Sequence, residues 1–209
     1  MSRAHGVWAT VIFLVLLGAA PVRALPTAAQ IRTAFLALNT SGNGEISVDE
    51  WDRGSFALFR AADKNHNDFI DADELAGSNI AQDTFLLADT NHDGRLSLSE
   101  FMDLRRALFQ LADIDHDDNL DYVEFELLIV MEQVGWVDRN GNGRIDLSEL
   151  KESLAKAFAQ LDVNHDGKLS RAEAVFMPEN EFKAFDKIGD GQITLEEFIA
   201  GYRAALFAG

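Results

Sequence analysis

From residue 35 to the C-terminus, apolar positions recur in a fixed register. Phe35, Phe59, Phe85, Phe109, Val134, Phe158 and Phe182 each stand four residues before a polar stretch of twelve. The eighth position of each stretch is apolar again: Ile46, Ile70, Leu96, Leu120, Ile145, Leu169 and Ile193. The residue after each stretch is Trp51, Leu75, Phe101, Phe125, Leu150, Ala174 or Phe198. Side chains four apart share one face of a helix, so the phenylalanines are predicted to lie on helices leading into the polar stretches and to build a helix–helix core.

The polar stretches, called loops I to VII below, span residues 39–50, 63–74, 89–100, 113–124, 138–149, 162–173 and 186–197. Their starts differ by 24, 26, 24, 25, 24 and 24 residues, and all seven end in glutamate. Self-similarity at a fixed period marks a repeat architecture. Only 12, 14, 12, 13, 12 and 12 residues separate successive loops. That is one helix's worth, about 18 Å at about 1.5 Å per residue, so neighbouring loops share a helix unless the interval is broken. Residues 101–112 and 150–161 lack Gly and Pro and read as continuous helices, whereas Gly77-Ser78-Asn79, Gly135 and Pro178 interrupt theirs. A break lets the chain fold back and set two loops side by side. The pairs expected on this ground are II with III, IV with V and VI with VII, leaving loop I unpaired. The fold class is all-α, a tandem of helix–loop–helix units with short helices, some of them shared.

The N-terminus carries a different pattern. Arg3 and His5 precede an apolar run over residues 7–20, and Val22-Arg23-Ala24 places small residues where a signal peptidase inspects the chain. The run is 14 residues, short of the roughly 20 a spanning helix needs. Residues 1–24 are therefore expected to be a cleaved signal peptide, 25–209 the repeat region, and the protein secreted or periplasmic, free of the membrane after cleavage. No ER-retention signal ends the chain.

Composition narrows the chemistry. Apolar residues are 47% of the 209, enough to bury a core. Lys plus Arg is 18 against 35 Asp plus Glu, a net charge of −17. Loss of Arg3 and Arg23 with the leader leaves 16 against 35, or −19. Such a balance excludes bulk nucleic-acid affinity and suits cations. With no cysteine, disulfides, thiolate zinc sites and cysteine nucleophiles are excluded. His66, His92, His116 and His165 all occupy the fourth loop position. They lack paired metal-ligand spacing and read as solvated turn residues.

Asp89-Thr90-Asn91-His92-Asp93-Gly94-Arg95-Leu96-Ser97-Leu98-Ser99-Glu100 resembles, at every position, the twelve-residue loop of the EF-hand family. The resemblance implies cation ligation by the side chains of Asp89, Asn91 and Asp93, the Arg95 carbonyl, Ser97 directly or through water, and both oxygens of Glu100, with Gly94 at the sharp turn. Loop V implies Asp138, Asn140, Asn142, Arg144, Asp146 and Glu149. Loop VI implies Asp162, Asn164, Asp166, Lys168, Ser170 and Glu173. In loop IV, Asp113, Asp115, Asp117, Asn119, Asp121 and Glu124 form the most acidic set, with Asp118 in place of the turn glycine. Loop II offers Asp63, Asn65, Asn67, Phe69, Asp71 and Glu74, with the same replacement at Asp68. Loop VII keeps Asp186, Asp190, Gln192, Thr194 and Glu197, but Ile188 cannot coordinate. Loop I has Asn39, Ser41, Asn43, Ser47 and Glu50, a single carboxylate, and is expected to be vestigial. The eighth residue faces away from the ligands, free to bridge a neighbouring loop.

The implied ion is calcium, since hard divalent cations take six to eight oxygens, with magnesium and lanthanides as alternatives. Short spacing and an export signal are also similar to the lanmodulin family, whose loops prefer lanthanides and carry proline at the second position. Here those residues are Thr40, Lys64, Thr90, Ile114, Arg139, Val163 and Lys187, and only loop IV is acidic enough for a trivalent ion. The expected role is that of a calcium buffer, a sensor or a calcium-stabilised module. The alternatives are a lanthanide-binding protein and a calcium-dependent protein-interaction module. A sensor's Met-rich groove is not favoured by three mature methionines, Met102, Met131 and Met177. No nucleophile motif or phosphate loop points to catalysis.

Overall fold

The structure, a computed structural model, describes residues 25–71, 73, 74, 85 and 88–207. The leader and the Gly77-Ser78-Asn79 break lie outside those residues. The elements bounded within the described residues are seven helices and six very short strands: α1 (Ala28–Leu38), β1 (Ile46–Ser47), α2 (Val48–Ala62), β2 (Phe69–Ile70), β3 (Leu96–Ser97), α3 (Leu98–Ala112), β4 (Asn119–Leu120), α4 (Tyr122–Val134), α5 (Leu147–Leu161), β5 (Lys168–Ser170), α6 (Glu179–Phe185), β6 (Gln192–Thr194) and α7 (Leu195–Leu206).

The loop itself starts the next helix. In α2, α3, α4, α5 and α7 the N-cap is the loop's ninth residue, and the twelfth, always glutamate, returns a hydrogen bond to it. Ligand positions nine and twelve are thus also a capping box, which satisfies the orphan N–H groups of the first turn. The shared helices α3 and α5 appear as expected, each running unbroken from one loop to the next, and α2 does the same. α2 does so despite Gly54, where a Cβ would meet the side chain of Leu38 on α1. α4 stops at Gly135, whose φ is 80°.

Each strand is the eighth-residue bridge of one loop, and the pairing corrects the expected order. Loops II and III pair through Ile70 and Leu96, and loops VI and VII through Leu169 and Ile193. Loop IV pairs with loop I, not with loop V: Ile46 lies opposite Leu120. The II/III pair is therefore nested in sequence inside the I/IV pair, and loop V forms no strand among the described residues. The aromatic core explains the choice. Phe35, which leads into loop I, packs on Phe125, which leaves loop IV, at 5.7 Å. Reciprocally, Phe109 packs on Trp51 at 5.8 Å. The same exchange joins Phe59 to Phe101 at 5.6 Å and Phe158 to Phe198 at 5.8 Å. At loop V the corresponding positions are Val134 and Leu150, with no ring to offer.

α4 is the central helix. Phe125 to Met131 are buried without a gap in both the apolar face and the usual polar one, the signature of a helix surrounded by protein. It packs against α1, α3, α5 and α7. Its Glu126 is fully buried and accepts a 2.9 Å hydrogen bond from the Tyr202 hydroxyl on α7. α2 and α3 are locked by buried Arg105, which stacks 3.9 Å from the Trp51 ring centroid and donates to Ser55 Oγ, while Trp51 Nε1 donates to the Arg105 carbonyl.

Candidate metal centres

One scaffold recurs in the loops. In loop III, Asp89 Oδ1 accepts the N–H of Asp93 and Oδ2 that of Gly94, while Asn91 Oδ1 accepts from Asp93 and Asp93 Oδ1 from Arg95. Side-chain oxygens at positions one, three and five thereby fold the backbone around themselves, as Asx-type turns do. Glu100 closes the ring, Oε1 accepting from the second and third residues and Oε2 from Ser97. Loop VI repeats this set, and loop IV most of it.

The wrapping demands left-handed backbone at two positions, not one. Position six has positive φ at Gly94, Gly143 and Gly167, and also at Asp68 (67°) and Asp118 (64°), the replacements for glycine. Position four does as well, at His66, His92, His116 and His165, with φ of 57–63°. Those histidines are exposed turn residues. Their backbone role was not read from the sequence, although glycine at the same position in loops I, V and VII (Gly42, Gly141, Gly189) was the available signal.

Loop IV brings three carboxylates together. Carboxylate oxygens of Asp113, Asp115 and Asp117 all lie within 4.8 Å of one another. That span fits a hard cation with oxygens at about 2.3–2.6 Å. The cluster is costly without one. Burial, then repulsion from Asp121 and Asp115, pushes Glu124 up to about 8 despite hydrogen bonds from the Asp121 and Ile114 N–H groups. Burial likewise raises Asp113 and Asp121, with Asp115 adding to both. Where position nine is a hydroxyl the balance reverses. Burial works against the charge on Glu100 and Glu50, but hydrogen bonds from Ser97 and Thr90, or from Ser41, Ser47 and Thr40, outweigh it and hold both at about 2. Glu173 and Glu197, served by Ser170 and Thr194, are also lowered.

The remaining loops are graded by their neighbours. In loop II, Arg60 contacts Asp63 and Asp68, and Arg95 of loop III contacts Asp71. In loop VII, Ile188 at position three is 69% exposed, and Asp190 is held by Lys168 at 2.7 Å. In loop I the oxygens of Asn39, Asn43 and Glu50 all accept internal hydrogen bonds. Loop I shares this internal wrap, and its bridge joins it to loop IV.

Among the described residues no helix is long and apolar enough to cross a membrane. A family profile for an EF-hand domain pair matches residues 151–203, and a single EF-hand profile matches 81–104 and 137–155. No curated protein matches the chain. A crystal structure of another protein's C-terminal domain is similar at 18% identity and a TM-score of 0.23, over 99% of this chain and 92% of that one, a likeness that carries no argument. EF-hand domains bind divalent cations, typically calcium, and are not usually catalysts. Matched loops III, V, VI and VII, helix-dominated units and the common twelve-residue wrap lead to one conclusion: the chain carries EF-hand domains.

Proposed function

We propose that the protein is an exported calcium binder, a buffer or calcium-stabilised module, in which loops II to VI hold the ions, loop VII binds more weakly and loop I is structural. The observation that carries this reading is the convergence of Asp113, Asp115 and Asp117 within 4.8 Å on a scaffold shared by the better-matched loops. A bound divalent cation would supply the positive charge that these crowded carboxylates lack. The candidate ligands are those at positions one, three, five, seven, nine and twelve named above. Export is supported by the leader pattern of residues 1–24. A buffering role is favoured over peptide capture because Met131 and Met177 are fully buried, leaving no Met-rich groove.

Calorimetric titration with calcium, magnesium and a lanthanide, each alone and in competition, tests the reading. About five calcium ions per chain are expected, with affinities from micromolar toward the millimolar range of extracellular modules. A lanthanide-only response would transfer the role to trivalent ions, and no heat with any of them would overturn it.

A further inference from the structure

We infer, resting on the calcium-binding reading above, that in two loop pairs a basic side chain of one loop is a tethered cation on the metal ligands of the other and lowers that loop's affinity for calcium. All three bridges set residue eight opposite residue eight in antiparallel register, so position seven of each loop lies across from position nine of its partner. In the II/III pair Arg95, at position seven of loop III, reaches Asp71, at position nine of loop II, at 3.4 Å. Its guanidinium also lies 5.4 Å from the ring centroid of Phe69, at position seven of loop II. In the VI/VII pair Lys168, at position seven of loop VI, faces uncharged Thr194. Its ammonium reaches instead to Asp190, at position five of loop VII, at 2.7 Å.

The arrangement runs one way in each pair. The residues that answer Arg95 and Lys168 from position seven of the partner loops are Phe69 and Gln192, which carry no charge. In the I/IV pair the position-seven residues are Glu45 and Asn119, so neither loop receives a cation from position seven of its partner. Position seven serves the metal of its own loop through the backbone carbonyl, which leaves the side chain free to act on the neighbour. Both carboxylates that receive it are ligand positions. A calcium ion entering loop II or VII must break the ion pair or share the carboxylate with a like charge, and either choice costs binding energy. Loops III and VI, which supply the cation, therefore fill before loops II and VII, which receive it. Loop II receives a second cation from the helix that enters it, Arg60 on Asp63 and Asp68, so loss of Arg95 frees it only in part.

Site-resolved NMR titration of the full chain with calcium tests the filling order and its cause. The reporters are the position-six N–H groups of Asp68, Gly94, Gly167 and Gly191, each donated to the position-one carboxylate of its own loop. Loop III is expected to fill before loop II, and loop VI before loop VII. Loop VII also lacks a ligand at Ile188, so two variants decide the cause. Arg95→Gln is expected to raise the affinity of loop II about three- to fivefold, and Lys168→Gln that of loop VII by as much, the range of an exposed ion pair. The variant's own loop, III or VI, is expected to gain less than about twofold, the screened effect of removing one charge, and the other pair to stay unmoved. Equal gains in both loops of a pair, as general loss of charge would give, overturn the proposal. So does the absence of the gain in loop II or in loop VII. No calcium-dependent shift at any of the four N–H groups overturns the metal-binding reading itself.

Discussion

Ser97 illustrates how one side chain serves three ends. Its oxygen caps α3 by accepting the Glu100 N–H, its hydroxyl donates to Glu100 Oε2 at 2.7 Å, and it holds a ligand position. Ser97→Ala is expected to lower the stability of the calcium-free protein by about 1 kcal/mol, the usual value of an N-cap, read by denaturant unfolding in chelator. Asp118 is the opposite case, a residue with φ of 64° and a redundant negative charge in the most acidic loop. Asp118→Gly relieves both while adding unfolded-state entropy, so a net gain of about 0.5–1 kcal/mol is expected in the same assay. The EF-hand positions were legible at this scale because ligand chemistry is local. The left-handed fourth position was not, since histidine gives no sign that it must adopt glycine's conformation.

At the scale of elements, the bridge between loops I and IV ties a loop with a single carboxylate at its ligand positions, Glu50, to the most acidic one. Ile46 and Leu120 are both fully buried there. Ile46→Ala is expected to cost about 2–4 kcal/mol and also to weaken calcium binding in loop IV, seen as loss of one calorimetric site. α4 and α6 meet through a different device. Glu126 and Glu181 lie close to one another in the buried seam, and burial with Asp121 nearby pushes Glu181 up to about 7. Two such carboxyls cannot both ionise, so one holds a proton. The folded chain thus retains a proton that the unfolded chain, with its ordinary value of 4.5, releases. Stability from this seam is complete below about 4.5 and lost as pH rises through about 7. Glu181→Gln is expected to recover about 1–2 kcal/mol of it at pH 8 and to flatten the melting temperature between pH 5 and 8, with calcium held saturating.

For the whole molecule, a net charge of −17 makes the metal-free fold repel itself. Each site saturated at a hundredfold excess over its dissociation constant adds about 2.7 kcal/mol. Chelation is therefore expected to lower the melting temperature by at least about 10 °C, with partial recovery in high salt from screening, followed by circular dichroism. Identical melting with and without chelator would count against metal-coupled stability.

The sequence by itself determined the repeat, the loop boundaries, the family and the shared helices, because each depends on residues within one turn or one twelve-residue wrap. The pairing of loops was a tertiary decision. Phenylalanine precedes six of the seven loops, so nothing local tells Phe35 that its partner is Phe125 rather than a ring nearer in sequence. Burial of α4 on all sides, with α1 and α7 both packed against it, forces loop I onto loop IV and strands loop V. The clue that the chain did carry was an absence, Val134 and Leu150 leaving loop V with no aromatic residue at either position where every other loop keeps at least one, and its meaning depends on knowing which rings meet.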